Sequence, residues 1–188
     1  NECQPYRKGM NAMKLLVVDA QALITTPALY AFDRFVETVT RLITAARQNH
    51  VEVIYIRHDD GPDQPLSPGK PGYDVYGAFA PLPGERVFDK TVNSPYRESG
   101  LLEYLRSSGE TDLMVCGLQT DFCIDATIKC GFEHGFRMLV PAYGNTTTDN
   151  GFLSGEATYR YYNQWMWPRR YADCISLEEA IRCLNGNR

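Results

Sequence analysis

The 188-residue sequence holds only three histidines, and its six cysteines include no CxxC pair. Zinc sites usually combine closely spaced cysteine and histidine ligands, so this pattern argues against a zinc centre. Lysine and arginine are interspersed with acidic residues at a formal net charge of −4, and no basic block occurs. We therefore expect no DNA or RNA partner, since such partners are held through their phosphates by clustered positive charge.

Long hydrophobic runs are also missing. No apolar stretch approaches the roughly 18–20 residues that a membrane-spanning helix needs, so no membrane partner is expected. No signal-peptide pattern opens the chain. These features predict a cytoplasmic protein in which most of the thiols are inert core or structural groups, namely Cys116, Cys130, Cys174 and Cys183.

Short apolar runs alternate with segments of helical periodicity. Strands are predicted at 14–19, 51–57, 86–89, 113–116, 136–140 and near 171–172. Helices are predicted at 31–49, 101–108, 121–134, 154–165 and 176–184. Most of the strands are apolar without alternation, which is typical of a parallel sheet covered on both faces. The sequence predicts one α/β domain over residues 13–188, preceded by a frayed or non-native leader at 1–12.

Three reactive side chains follow three of these strands. Asp19 closes the first strand, Lys90 follows the third, and Cys123 lies in the first turn of the helix after the fourth. Ligands bind at the carboxyl ends of parallel strands, so the three can meet there. The ammonium and the helix N-terminus would favour a thiolate that attacks a carbonyl carbon, while the carboxylate moves the proton. A capping acid, a solvated lysine and a small buried thiol are the alternative interpretations.

The sequence resembles the isochorismatase-like cysteine hydrolases, which include nicotinamidases and N-carbamoylsarcosine amidase. The matching segments, in order, are LLVVDAQ (15–21), DKTVNSPY (89–96) and VCGLQTDFCIDAT (115–127). The resemblance implies a three-layer α/β/α sandwich with a six-stranded parallel sheet. It also implies a homo-oligomer, a dimer or a tetramer.

The same resemblance implies roles for individual residues. Asp19 would be the acid/base, Lys90 the lysine and Cys123 the nucleophile. A cis peptide would fall at Leu118–Gln119, and the backbone N–H groups of Gln119 and Cys123 would form the oxyanion hole.

The sequence departs from the nicotinamidase pattern at its second strand. Nicotinamidases carry a metal site made of an Asp-x-His pair and a second histidine, whereas here RHDD (57–60) is followed by no histidine until His134. We therefore expect no catalytic metal and no other cofactor. His58 and Asp60 would instead hydrogen-bond a substrate or buttress the loop. Retention of Cys123 favours cleavage of an amide or ureide.

The substrate pocket has four candidate wall residues. Candidate substrate-binding residues are Gln21, Tyr76, Tyr96 and Trp165. The aromatic segment YRYYNQWMWPRRY (159–171) either packs on the core, covers a subunit interface or closes the pocket.

The leading hypothesis is a hydrolase that cleaves a C–N bond of a small molecule through a thioester at Cys123. One alternative is a vinyl-ether hydrolase of the isochorismatase type, in which Asp19 acts and Cys123 is incidental. The other is a non-enzymatic protein that uses the thiol for redox sensing or for binding.

Overall fold

The computed structural model describes residues 13–186, so the predicted leader at 1–12 lies outside the described residues. The strands are β1 Met13–Val18, β2 Glu52–His58, β3 Arg86–Lys90, β4 Asp112–Leu118, β5 Arg137–Pro141, β6 Asn145–Thr146 and β7 Asp173–Ile175. The helices are α1 Phe32–Gln48, α2 Leu101–Ser107, α3 Asp125–Glu133, α4 Gly155–Tyr161 and α5 Leu177–Leu184. A 3-10 turn spans Gly77–Phe79, and π-helical turns span Thr120–Ile124 and Tyr162–Met166.

The strands form one parallel sheet in the order β3-β2-β1-β4-β5-β7, and the two-residue β6 also pairs with β4. The predicted six-stranded path is confirmed, with β6 as a short addition. The chain runs outward from β1 to β3 and then returns to β4 on the other side of β1. This reversal makes the carboxyl ends of β1 and β4 the switch point, where ligands bind in open α/β sheets.

Two hydrophobic cores cover the faces of the sheet. Side chains alternate along β1, so Leu15 and Val17 enter the core beneath α1 and α5. Leu16 and Val18 enter the opposite core, beneath α2 and α3. Each fully buried side chain of this kind stabilises the fold by about 1.5–3 kcal/mol. The predicted three-layer α/β/α sandwich is therefore confirmed.

Several predicted boundaries were wrong. The last strand lies at 173–175 rather than near 171–172, because the N–H groups of Tyr171 and Ala172 both donate to the carbonyl of Trp167 and close a turn. The helices predicted at 121–134 and 154–165 each overlap a π-helical turn, at Thr120–Ile124 and Tyr162–Met166.

A capping box begins α5, with Ser176 and Glu179 exchanging hydrogen bonds.

Gly117 allows β1 and β4 to meet at the switch point. Its φ is 125°, and the register places it beside Val18. A Cβ atom at this position would lie 1.9 Å from the Val18 carbonyl oxygen. No helix within residues 13–186 is long and apolar enough to cross a membrane.

Candidate active site

The fold brings the three predicted catalytic side chains together at the switch point. Asp19 follows β1, Lys90 is the last residue of β3, and Cys123 lies in the π-helical turn after β4. Lys90 Nζ is 2.7 Å from Asp19 Oδ2 and 3.3 Å from Cys123 Sγ. All three residues are buried. An ammonium thus bridges a carboxylate and a thiol away from bulk water.

Lys90 has a third contact that the sequence analysis missed. Its Nζ lies 3.0 Å from His58 Nδ1, at the end of the neighbouring strand β2. An ammonium has three N–H donors, so Asp19, His58 and Cys123 together can satisfy all of them. The signal in the sequence was that His58 ends a strand at the same edge of the sheet.

Burial disfavours the charged forms of Asp19 and Cys123. It raises the pKa of Asp19 above its usual value of 3.8, although Lys90 opposes the shift. Burial, with a further contribution from the Asp19 charge, raises the pKa of the Cys123 thiol to about 12, again against Lys90. Lys90 lowers the pKa of the thiol, as expected of an ammonium that stabilises a thiolate, but burial outweighs this effect.

The second carboxylate oxygen of Asp19 is unused. Within residues 13–186, Asp19 Oδ1 has no hydrogen-bond partner although it is buried. The Asp19 carboxylate and Cys123 Sγ lie within 4.8 Å of each other. A free, buried acceptor beside a neutral thiol is suited to receiving its proton. Asn93, which the sequence analysis also missed, accepts a long contact of 3.7 Å from Cys123 Sγ.

The turn that carries Cys123 is fixed by backbone contacts. The Leu118–Gln119 peptide is cis, at the bond where the resemblance implied one. The N–H groups of Phe122 and Ile124 both donate to the Gln119 carbonyl at 3.1 Å. The oxyanion-hole role of the Gln119 and Cys123 N–H groups stays a prediction.

A network of buried polar side chains contacts the turn that carries Cys123. Thr120 Oγ1 donates to Asn145 Oδ1 at 2.7 Å, and the side-chain amides of Asn145 and Asn163 bond each other reciprocally at 2.9 and 3.1 Å. Trp167 Nε1 donates to Asp125 Oδ1 at 2.8 Å, at the start of α3. The segment 159–171 therefore packs in part on the elements around Cys123.

Gln21 and Tyr76, two of the four proposed pocket residues, contact the protein itself. The Gln21 side chain is fully buried and bonds both the N–H and the carbonyl of His58, which fixes the end of β2. The Tyr76 ring packs edge-on against Phe79 at 5.4 Å. Their contact with a substrate stays a prediction.

The other two proposed pocket residues, Tyr96 and Trp165, differ in their exposure to solvent. Tyr96 is buried, stacks on Phe136 at 6.2 Å and donates its hydroxyl to the Thr127 carbonyl. Trp165 is 68% exposed beside the Tyr161 ring. Their role in a pocket wall also stays a prediction.

Asp19, His58 and Cys123 are also a potential ligand set for a metal, since one ligand atom from each lies within 4.8 Å of the others. All three residues bond to Lys90 Nζ, however. A divalent cation among them would be repelled by the charge of the ammonium. The lone pairs that it needs as ligands already accept hydrogen bonds from Lys90. The residues as arranged therefore do not fit a metal ion.

The sequence of the chain is similar to those of several known proteins. The isochorismatase domain model matches residues 13–151. A streptothricin hydrolase from Streptomyces noursei is 31% identical over 137 residues, which are 72% of this chain and 54% of that protein. A ureidoacrylate amidohydrolase from Azorhizobium caulinodans is 25% identical over 208 residues, covering 90% of this chain and 92% of that protein.

Solved structures agree with the fold. An isochorismatase-family protein from Chromobacterium violaceum superposes with a TM-score of 0.88 at 24% identity, covering 98% of this chain and all of that chain. The chain spans about half the length of the streptothricin hydrolase it matches. Because the family model covers well over half of the sequence, this chain belongs to the isochorismatase domain family.

Proposed function

We propose that this protein hydrolyses a C–N bond of a small amide or ureide, with Cys123 as nucleophile. The observation that carries the proposal is the buried Lys90 ammonium, 2.7 Å from the Asp19 carboxylate and 3.3 Å from the Cys123 thiol. The name of one relative, a ureidoacrylate amidohydrolase, supports amide hydrolysis, and the name of another, a streptothricin hydrolase, supports hydrolysis in general.

The first half-reaction forms a thioester. Cys123 Sγ attacks the carbonyl carbon while its proton passes to Asp19, since a thiol with a pKa of about 12 is not ionised beforehand. The Gln119 and Cys123 N–H groups stabilise the oxyanion, at about 2.7–4 kcal/mol of barrier for one such donor. The intermediate collapses, the C–N bond breaks, and Asp19 returns the proton to the leaving nitrogen.

The second half-reaction consumes one water molecule. Asp19 takes a proton from the water as its oxygen attacks the thioester carbon. The C–S bond then breaks, the proton returns to Cys123 Sγ, and the carboxylic or carbamic acid leaves. Lys90 takes no part in these proton transfers and orients the carboxylate and the sulfur. The sum of both steps is amide plus water giving acid plus ammonia or amine.

Ammonia release from a panel of small primary amides and ureides tests the proposal. Cys123→Ala is expected to lower turnover by at least about a thousandfold, because no other group supplies the nucleophile. Cys174→Ala is the matched control, since burial also raises the pKa of Cys174 to about 12 but this thiol lies on β7. It is expected to keep full activity.

Two results would overturn the proposal. One is a panel in which no amide or ureide is hydrolysed. The other is turnover that survives in Cys123→Ala. Surviving ammonia release would instead favour direct attack of water on the amide, with Asp19 as the base and no sulfur nucleophile.

A further inference from the structure

We propose that His58 is a positioning residue for Lys90. Its Nδ1 accepts the third N–H of the ammonium, and this leaves the other two N–H groups directed at Asp19 and Cys123. Asp60 fixes the tautomer that makes the acceptance possible. The catalytic meaning of this contact rests on the proposed function, but the contact can be tested without a substrate.

The sheet register places His58 and Lys90 side by side. They are paired residues at the ends of the parallel strands β2 and β3, so their side chains leave the sheet on the same face. The Lys90 side chain has no exposed area, and water therefore does not replace a lost partner. A buried N–H without an acceptor is costly, more so on a charged group. His58 Nδ1, at 3.0 Å, supplies that acceptor.

The contact requires the proton of the ring to be on Nε2. A neutral imidazole has one N–H and one bare nitrogen, and only the bare nitrogen accepts. His58 Nε2 lies 3.1 Å from Asp60 Oδ1, so a proton there is hydrogen-bonded to a carboxylate. In histidines of other proteins, a hydrogen bond from one ring nitrogen to a carboxylate likewise decides which nitrogen carries the proton. Asp60 therefore keeps Nδ1 bare toward Lys90.

The backbone of His58 is held as firmly as its ring. Gln21 Oε1 accepts from the His58 N–H at 2.8 Å, and Gln21 Nε2 donates to the His58 carbonyl at 3.1 Å. The same amide nitrogen donates to the Tyr73 carbonyl at 2.8 Å. Rotation of the strand end away from Lys90 would break this clamp. Gln21 was predicted to line the pocket wall, and its contacts in the structure support His58.

The charged and titratable groups around the ring come from four elements. Lys90 faces it from β3, Asp19 from the end of β1, Cys123 from the π-helical turn, and Asp60 from the loop after β2. A doubly protonated ring would direct an N–H at the Lys90 ammonium. The arrangement therefore works only with a neutral His58.

Two substitutions at His58 distinguish a side chain that accepts a hydrogen bond from one that only fills the space. Asn places an amide oxygen close to the position of Nδ1, whereas Leu fills the space without an acceptor. The readout is the rate at which iodoacetamide alkylates Cys123, followed by peptide mass spectrometry at several pH values between about 6.5 and 9. Only the thiolate reacts, so the rate reports how strongly Lys90 stabilises it.

We expect His58→Leu to slow alkylation of Cys123 by about tenfold at each pH, because an ammonium that is no longer held by His58 turns away from Cys123 to satisfy its third N–H. His58→Asn is expected to recover most of the rate. Cys174 is the internal reference and should react equally in all variants. On an amide that is turned over, His58→Leu should lower kcat with little change in KM.

Equal rates in His58→Leu and His58→Asn would overturn the inference, whether both fall or neither does. If His58→Leu does not fold, as judged by circular dichroism, the pair Asp60→Leu and Asp60→Asn decides in its place. Asp60 is half exposed, and only Asn retains an oxygen that accepts from Nε2. Asp60→Leu should then be the slower of the two, and equality would again contradict the inference.

Failure of this inference and failure of the proposed function look different. If the proposed function is wrong, no amide is hydrolysed, yet the effect of His58→Leu on alkylation is still seen. If the inference is wrong, amides are hydrolysed and Cys123→Ala abolishes turnover, but alkylation does not distinguish the two His58 variants.

Discussion

At the scale of single residues, the site couples one negative charge to one neutral thiol. Asp19 and Cys123 share the Lys90 ammonium, and both are removed from water. The charge of Asp19 makes the thiol harder to ionise, while its free oxygen Oδ1 can accept the proton. Asp19 therefore has opposite effects on the resting thiolate population and on catalysis, and the two can be measured separately.

Asp19→Asn is expected to separate these effects. Removing the carboxylate charge lowers the pKa of Cys123, so more thiolate is present at any pH below about 12 and iodoacetamide reacts about tenfold faster at neutral pH. Turnover of an amide falls by about 10²–10⁴-fold in the same variant, because the general base is gone. Rates of alkylation and of ammonia release on one preparation give both numbers.

Slower alkylation in Asp19→Asn would show instead that the carboxylate promotes ionisation of the resting thiol. Lys90 loses its charged partner in this variant, so the free energy of unfolding must be measured alongside.

The residues that sheet topology alone brings together were predictable from the sequence. Asp19, Lys90 and Cys123 each follow a strand of one parallel sheet, and that alone brings them to one edge. His58 and Asn93 were missed as contacts, because their side-chain directions depend on register and loop path. The raised pKa of Cys123 was not predicted, since the sequence does not show how completely the site is shielded from water.

At the scale of the elements, β1 and β4 approach more closely than side chains would allow. The missing side chain of Gly117 makes room for the Val18 carbonyl. This contact places the ends of the two strands, and with them Asp19 and the turn before Cys123, side by side.

Gly117→Ala is expected to destabilise the protein by about 3 kcal/mol or more, because the new Cβ overlaps the backbone and φ is positive. Urea denaturation measures the loss. Gly77→Ala is the control, since a Cβ there meets nothing within 4 Å, and a change within about 1 kcal/mol is expected. Similar losses in both variants would contradict the role given to Gly117.

Asn163→Leu tests the coupling of the aromatic segment to the nucleophile turn. The substitution leaves the buried Asn145 amide without its partner, which costs about 1–3 kcal/mol in unfolding free energy. Because Asn145 also accepts from Thr120, kcat should fall as well. The neighbouring Gln164 is exposed, so Gln164→Leu should change neither quantity. Loss of stability with unchanged kcat would restrict Asn163 to a purely structural role.

At the scale of the whole molecule, the layered fold was predictable because apolar strands and amphipathic helices alternate in the sequence. The short β6 and the π-helical turns were not, since two residues show no period and π turns depend on packing. The surface carries exposed apolar side chains, among them Phe152 at 97% and Trp165 at 68% exposure. Large exposed apolar groups often mark contacts between proteins.

The oligomer implied by the family resemblance stays a prediction, with a direct test. Sedimentation equilibrium is expected to give twice or four times the mass of the chain. Trp165→Lys and Phe152→Lys should shift it toward the monomer, because a charge in an apolar interface is desolvated without a partner. Leu82→Lys, at an exposed position in the loop before β3, is the control. A monomer at all concentrations would contradict the prediction.

The proposed mechanism requires that a carbonyl carbon becomes bonded to Cys123. The bond can be detected by mixing the enzyme with an amide that it turns over, quenching with acid within one turnover, and weighing the peptide that contains Cys123. We expect a burst of ammonia accompanied by the mass of the acyl group on Cys123. Ammonia release without that adduct, at an undiminished rate in Cys123→Ala, would contradict it.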